Sequence, residues 1–325
     1  MPHALVLSET GGPENLRWQA VTVGDPGPGQ VRLRHTAIGL NFIDVYHRTG
    51  LYPLPALPAI IGLEAAGVVE AIGPGVSDLA VGTRVAYASP PAGAYAEMRL
   101  MPADRLIALP DTIDDAHAAA MMLKGMTAEY LLRRTYAVKA GDTILVHAAS
   151  GGVGLIVCQW AKHLGANVIG TVGSPNKAEL ARAHGCDHPI LYTSENFVDR
   201  VRALTGGAGV AVVYDSVGKD TFMGSLDCLQ PMGMMVSFGN ASGAVPAFEP
   251  GLLSAKGSLF LTRPTLMTYT AKRADLVASA QALFEVVMAG AVRIEVNQRY
   301  PLRDAAQAHR DLEARKTTGS TLLMP

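Results

Sequence analysis

Cysteine is scarce in this chain: three residues in 325, Cys158, Cys186 and Cys228, far apart in sequence. That argues against a disulfide-stapled scaffold and fits a reducing compartment, so a cytoplasmic location is expected. Net charge is equally scant. The 27 basic side chains nearly cancel the 28 acidic ones to leave −1. With no long basic run, the chain has no electrostatic footprint for nucleic acid or an anionic membrane. No apolar run reaches the ~18 residues that a membrane-spanning helix needs. The opening Met1–Glu9 has neither a basic n-region nor an extended apolar h-region, so no secretory signal is expected. No segment repeats. Core-forming material is plentiful: hydrophobic residues make up 49% and charged ones 17%, in a length that suits two domains or one large one.

Residues 1 to about 122 are rich in glycine, proline and short β-like runs. Val31–Thr36 alternates apolar with polar, the period of a half-buried strand. Ala65–Ile72, Thr83–Tyr87 and Tyr95–Leu100 read as further strands, punctuated by Gly73-Pro74-Gly75 and Pro90-Pro91-Ala92-Gly93. This predicts an all-β domain, a small barrel. Ala116–Arg134 is a long helical stretch. From Thr143 strand and helix alternate: strands at 143–147, 167–172, 189–192, 210–214 and 234–238, helices near 153–164 and 176–184. Such alternation means a parallel sheet covered by helices. Ser258–Leu261 reads as an edge strand. Helices over 271–289 and 303–314, β-like runs at 292–296 and 300–302, and a final strand at 319–324 complete the chain.

The most informative stretch is His147-Ala148-Ala149-Ser150-Gly151-Gly152-Val153-Gly154. It lies between a buried strand and a helix, the context that gives a glycine motif meaning. Glycines allow a tight turn and let the backbone approach a pyrophosphate at the positive helix N-terminus. Ala149 stands where the first glycine of G-x-G-x-x-G is usual, so a purely structural turn is the alternative. In an NAD site an acidic residue usually ends the next strand, about 20 residues on, and binds the ribose 2′-OH. Here that strand end reads Val172-Gly173-Ser174-Pro175-Asn176-Lys177, without a carboxylate. Ser174 and Lys177 could receive a 2′-phosphate that an acid would repel. This predicts NADPH rather than NADH, against the alternative that Lys177 is an ordinary solvated lysine.

The chain resembles the medium-chain dehydrogenase/reductase superfamily, and within it the zinc-free quinone oxidoreductases, the group that includes zeta-crystallin. Asn41-Phe42-Ile43-Asp44-Val45-Tyr46-His47-Arg48-Thr49-Gly50-Leu51-Tyr52 matches that branch's N-x-x-D-x-x-x-R-x-G-x-Y. Gly62–Gly67, Leu123–Ala128, Val213–Gly218 and the ending Gly319–Leu323 match as well. The resemblance implies an α/β protein: a GroES-like β-barrel substrate domain over 1–122, completed by 266–325, and a Rossmann doubly wound parallel sheet over 123–265. It implies NADPH in the cleft between them, and a homodimer or a dimer of dimers. The edge strand near Ser258–Leu261 would suit sheet-to-sheet pairing between subunits.

Departures from the zinc enzymes carry chemical weight. A catalytic zinc needs three protein ligands. Asn41 stands where the first cysteine would be, Leu63 where the histidine would be, and no cysteine lies near Leu123-Lys124-Gly125. The four-cysteine lobe is missing too. Alcohol oxidation relies on zinc as a Lewis acid, so that chemistry is not expected and no metal is assigned. His184-Gly185-Cys186-Asp187-His188 has an i, i+4 histidine spacing, but Gly185 should end the helix, and a helix-to-strand loop explains the pattern.

The resemblance implies hydride transfer, or transfer of single electrons, from NADPH to a quinone. Asn41 and Tyr46 are the catalytic and substrate-binding candidates, with Tyr52 beside them. The Asn41 amide could donate to a quinone oxygen, and Tyr46 could shape the ring slot and supply a proton, the other sources being water or a nearby hydroxyl; the alternative for Tyr46 is a packed aromatic. Asp44 and Arg48, four apart, could be a helical ion pair. Glu64 is expected to be a buried, paired structural carboxylate, and Lys124 either lies near the site or is a surface lysine. For the cofactor, the resemblance carries over Thr127 and Tyr130; Gly151, Gly152 and Val153 at the pyrophosphate; Gly173, Ser174, Lys177 and Tyr192 around the 2′-phosphate; Ser216, Phe238, Gly239 and Asn240 on the nicotinamide side; and Arg263, Thr265 and Arg315. Alternatives of other kinds are an NADPH-dependent reductase of enone or alkenal C=C bonds and a non-catalytic NADPH-binding protein, as some crystallins are.

Overall fold

Alternation of apolar and polar residues shapes the N-terminal third into strands. The computed structural model describes residues 1–325. They divide into two units, one of Met1–Met126, Thr270–Gln281 and Ile294–Pro325, the other of Thr127–Tyr269 and Ala282–Arg293. The first unit contains β1 (His3–Leu7), β2 (Leu16–Ala20), β3 (Gln30–Leu40), helix α1 (Phe42–Thr49), β4 (Ala59–Ile60), β5 (Glu64–Ile72), β6 (Arg84–Ala88), β7 (Met98–Pro102), β8 (Ile107–Ala108) and the start of α2 (Asp115–Tyr130). β3 buries Val31, Leu33, His35 and Ala37 at every second position, against Val69, Val85, Tyr87 and Met101 from neighbouring strands. The hairpin β1–β2 was not anticipated, and the strand expected at Tyr95–Leu100 runs at Met98–Pro102 instead. Tyr95 turns into the core, wholly buried.

In the second unit β9 (Thr143–Val146), β10 (Asn167–Val172), β11 (His188–Leu191), β12 (Val210–Asp215), β13 (Leu229–Ser237) and β14 (Phe260–Thr262) form one sheet. Its order is β11-β10-β9-β12-β13-β14, and every neighbouring pair is parallel. Helices α3 (Gly152–His163), α4 (Pro175–Ala183), α5 (Phe197–Leu204), α6 (Phe222–Cys228), α7 (Gly251–Ala255) and α8 (Leu266–Tyr269) accompany it. All six residues of β12 are buried, as in a parallel strand covered on both faces. Strand order reverses between β9 and β12, the switch point outside which open α/β sheets bind ligands. β13 begins at Leu229, ahead of the expected Met234, because Leu229 pairs with Val210 across an irregularity. Helices α5 and α6, unread in the sequence, bring Val201, Phe222 and Leu226 onto Val213 and Met235.

Residues 266–325, expected to complete the first domain, divide. Leu266–Tyr269 and Ala282–Arg293 belong to the second unit; Thr270–Gln281 and Ile294–Pro325 belong to the first. Helix α9 (Arg273–Met288) is therefore shared. The strand expected at Val292–Val296 lies later, as β15 (Val296–Pro301), because Val292 and Ile294 are buried as core side chains. Helix α10 (Ala305–Glu313) follows, then β16 (Ser320–Met324). β16 pairs antiparallel with β3 and parallel with β15, closing a sheet of order β15-β16-β3-β5-β6-β8 with β7 also on β3.

A buried polar chain ties α10 to α1. Arg48 Nε donates to His309 Nδ1 (3.3 Å), His309 Nε2 meets the Tyr95 hydroxyl (2.9 Å), and that hydroxyl donates to Asp44 Oδ2 (3.1 Å). Arg48 also donates to the Gly11 carbonyl (2.6 Å) and to Glu313 Oε2 (2.7 Å). The donors run one way if His309 is neutral with its proton on Nε2, and burial beside Arg48 holds that ring down to about 3. Asp44 and Arg48 are thus not an ion pair with each other. Both are buried, and each is taken by partners on other segments.

Burial pushes the Asp44 carboxyl up from 3.8 to about 7, against the donors Asn41 N–H and Tyr95 O–H, which favour the charged form. In that window the folded protein holds a proton that the unfolded chain releases, so stability falls as pH rises. Against Asp44→Asn, the parent should lose more than about 1 kcal/mol between pH 4 and 7 in urea unfolding; parallel stability profiles would contradict this. At the start of α3, a Cβ on Gly154 would lie 2.3 Å from the Ala148 carbonyl oxygen and 2.8 Å from Ala149 Cα. Backbone cannot step aside as a side chain can, so Gly154→Ala should destabilise by about 1–3 kcal/mol, measured by thermal or urea unfolding.

Candidate functional site

In the second unit the turn after β9 is built to bring a helix end close to the sheet. Ala148 is left-handed at φ 54°, Gly151 N–H closes the turn onto its carbonyl (2.9 Å), and Ala149 N–H donates to Thr171 O (3.0 Å). The room for Ala149 in place of a glycine comes from β10: a Cβ on Gly170 would lie 2.6 Å from the Ala149 Cβ. Gly151, before α3, offers no side-chain cap. The N–H groups of the first turn, with Gly152 and Val153, are therefore left to an outside acceptor. This donor set at a dipole's positive end suits a pyrophosphate, and with the acid-free strand end beside it the residues fit a phosphorylated dinucleotide.

At the C-terminal end of β10, Ser174 caps α4 by accepting from Lys177 N–H (3.4 Å). Tyr192, 42% exposed after β11, places its hydroxyl over Gly173. Four of the expected residues, Gly173, Ser174, Lys177 and Tyr192, therefore surround one strand end. Ser216, Phe238, Gly239 and Asn240 gather at the ends of β12 and β13, where Phe238 and Gly239 N–H groups both point at Asp215 O (2.8 and 3.3 Å). Thr127, Tyr130 and Arg263 form a third group. The Tyr130 ring stacks on Tyr269 at 4.5 Å, and burial pushes its hydroxyl up against the opposing pull of the Arg263 charge and a Thr127 hydrogen bond. Thr265 is exposed just before α8, and Arg315, exposed at φ 59° after α10, belongs to the first unit.

A buried network beneath these strand ends was not foreseen. Asp215 Oδ1 accepts from Val217 N (2.8 Å), Gly218 N (3.0 Å) and the Thr221 hydroxyl (2.9 Å), while Oδ2 accepts from Ser225 Oγ (3.0 Å). His147 Nε2 meets Ser225 Oγ (2.9 Å), and its Nδ1 meets Thr171 Oγ1 (2.9 Å). Since Ser225 spends its proton on Asp215, His147 donates from Nε2 and accepts from Thr171. Burial lowers the His147 pKa, consistent with that neutral form. The network pins the turn that carries Ser216. Its sequence signal was a histidine and an aspartate each ending a buried strand.

In the first unit Asn41 precedes α1, and its N–H donates to Asp44 Oδ2 (2.9 Å). Its side-chain nitrogen is directed inward: Nδ2 donates to Glu64 Oε2 (2.8 Å) and reaches Gly39 O (3.4 Å). One of the two amide N–H groups expected at a quinone oxygen is thus engaged by a buried carboxylate, a strong acceptor. Glu64 is wholly buried; Oε1 takes Leu123 N–H (2.7 Å), and Oε2 also takes Lys124 Nζ (3.2 Å). Lys124 is 5% exposed, not a surface lysine. Tyr46 is buried, with its ring edge-on to Tyr52 at 5.0 Å and tilted to Phe42 at 6.2 Å, so the two expected tyrosines do meet. His184 Nδ1 turns to the Leu180 carbonyl of its own helix (2.8 Å), and no group of three or more His, Cys, Asp or Glu side chains is arranged to hold a metal ion.

Comparison with known proteins accounts for this arrangement across the whole chain. Residues 27–111 match the alcohol dehydrogenase GroES-like domain, and residues 152–281 match the zinc-binding dehydrogenase family. A curated quinone oxidoreductase of Pseudomonas aeruginosa is 56% identical over 325 residues, covering 100% of both chains. A 2-haloacrylate reductase of Burkholderia sp is 52% identical, covering 100% of this chain and 99% of its own. The crystal structure of Escherichia coli quinone oxidoreductase complexed with NADPH superimposes with a TM-score of 0.98 at 48% identity, over 99% of this chain and 100% of that one. The protein has the expected GroES-like and Rossmann folds, and it belongs to the quinone oxidoreductase family of the medium-chain dehydrogenase/reductase superfamily.

Proposed function

We propose that this protein is an NADPH-dependent quinone reductase. The observation that carries the reading is full-length identity to curated quinone oxidoreductases at 49–56%, in a chain whose β10 ends without a carboxylate. When bound, NADPH would supply the hydride. The chain's part is to bind and orient. The uncapped start of α3, with Gly151, Gly152 and Val153, takes the pyrophosphate. Ser174, Lys177 and Tyr192, around Gly173, take the 2′-phosphate. Ser216, Phe238, Gly239 and Asn240 hold the nicotinamide side, and Thr127, Tyr130, Arg263 and Thr265 supply further contacts. Tyr46 and Tyr52 form an aromatic wall for a flat acceptor ring. A quinone suits such a site because it is electron-poor and regains aromaticity on reduction, leaving orientation as the main demand.

A second reading has its own support. The Burkholderia relative is a 2-haloacrylate reductase, so reduction of an activated C=C bond is the competing activity. NADPH oxidation followed by absorbance with 1,4-benzoquinone, a naphthoquinone and an enone, with NADH in parallel, separates them. Turnover of quinones with a strong NADPH preference is the expected result. Turnover of the enone alone would move the assignment to alkene reduction.

Charge-assisted hydrogen bonds contribute about 1.5–3 kcal/mol. Lys177→Ala should therefore weaken NADPH binding roughly 10- to 100-fold while leaving NADH binding nearly unchanged. Equal weakening of both cofactors in a calorimetric titration would remove Lys177 from the 2′-phosphate. We also infer a cytoplasmic homodimer. β14 is one of the two edge strands of its sheet and carries Phe260 at 59% exposure, a strand available for pairing. Gel filtration should give twice the chain mass, and a clean monomer would count against it.

A further inference from the structure

Lys124 is almost fully buried, yet its ammonium makes one protein hydrogen bond, to Glu64 Oε2 at 3.2 Å. A lysine ammonium carries three donors, so two N–H groups remain without a protein partner in a place where unmet donors are costly. The same Glu64 oxygen binds Asn41 Nδ2 at 2.8 Å, so the ammonium and the start of α1 flank one carboxylate oxygen. Glu64 cannot move to satisfy more of the ammonium, because Leu123 N–H holds its other oxygen at 2.7 Å. The Asn41 amide nitrogen gives its short bond to Glu64 and a longer one, 3.4 Å, to Gly39 O.

We infer that Lys124 is the catalytic residue that hydrogen-bonds the carbonyl oxygen of the acceptor and delivers its proton, with Glu64 and Asn41 as positioning residues. The inference rests on the quinone reductase reading. Reduction of a quinone to a hydroquinone takes up one hydride and one proton. The hydride leaves one acceptor oxygen as an anion. An Nζ–H bond of Lys124 breaks as that O–H bond forms, and water returns a proton to the neutral amine. Before the transfer, the ammonium stands where negative charge develops, so it stabilises the reduced acceptor more than the oxidised one. Enone reduction places charge on a carbonyl oxygen in the same way.

Removing one member of a buried pair strands the other charge, so the primary test is the double variant Glu64→Gln/Lys124→Met, which removes both. It should melt near the parent, bind NADPH as the parent does, and lose about 100-fold or more in kcat, the range of a general acid. The solvent deuterium isotope effect on kcat should change with it. Turnover within about threefold of the parent overturns the inference. If the double variant does not fold, Lys124→Arg decides: it keeps the charge against Glu64 but cannot release a proton. Loss of kcat with KM retained supports the role, and parental kcat overturns it. A parent that reduces the enone and not the quinones overturns the quinone reading alone, and Lys124 is then judged with the same variants on the enone. A parent inactive on all three acceptors overturns both.

Discussion

The wholly buried carboxylate of Glu64 is the constraint on which the placing of β5, the start of α1 and the middle of α2 depends. A charge taken out of water has to be met by donors, or it destabilises the fold by several kcal/mol. Glu64 is met by three: a backbone N–H from α2, the Asn41 amide and the Lys124 ammonium. These donors lie on different elements, so satisfying one carboxylate sets the distance between β5, the entry to α1 and the middle of α2. The polar chain of the first unit runs on from that placement. Asn41, held by its side chain, directs its N–H at Asp44; Asp44 receives Tyr95; Tyr95 meets His309; and His309 receives Arg48. α10, late in the chain, is thereby registered on α1.

The second unit solves a similar problem with a different group. Its strand ends must stay fixed while offering backbone donors to an anion. Asp215 takes two backbone N–H groups and two hydroxyls, and through Ser225 it orders His147, which in turn orders Thr171 on β10. The ends of β9, β10 and β12 thus share one hydrogen-bond network. The α3 N-terminus is held by shape instead, through the Cβ missing at Gly154 and the recess that Gly170 leaves for Ala149. Donors fixed in this way would need no reorganisation on taking an anion.

Local signals were legible and distant partners were not. Strand periodicity and the glycine turn located β9, α3 and β10 to within a residue or so, because their information lies inside each segment. The same holds for Ser174 and Lys177, whose proximity is one turn of α4. Asp44 and Arg48 illustrate the limit. Their spacing allows a helical pair, but Arg48 finds Glu313 and His309 more than 260 positions away, and no local pattern carries that choice. Lys124 was ambiguous because the matching Leu123–Ala128 segment does not say which way its side chain turns; the deciding fact is Glu64, 60 positions earlier. The direction of the Asn41 amide at the start of α1 depends on that same carboxylate. Helices α5 and α6 were passed over since each is barely two turns long, below the length at which a helical period stands out.

An ammonium beside a carboxylate also constrains what chemistry the acceptor side can do. Its field is that of one charge partly cancelled by Glu64, weaker than a divalent ion held by three ligands. Such a group can steady an oxyanion that is already stable, as a hydroquinone's is by its ring, and far less readily a saturated alkoxide. It can also release a proton, which a metal ion cannot do except through bound water. With Lys124 in the proposed role, the site would suit electron-poor acceptors that need a proton after the hydride. Both candidate activities, quinone and activated alkene reduction, fall within that class. On that proposal, discrimination between them would rest on the shape of the aromatic wall of Tyr46 and Tyr52, since an ammonium at Lys124 would serve either oxygen alike.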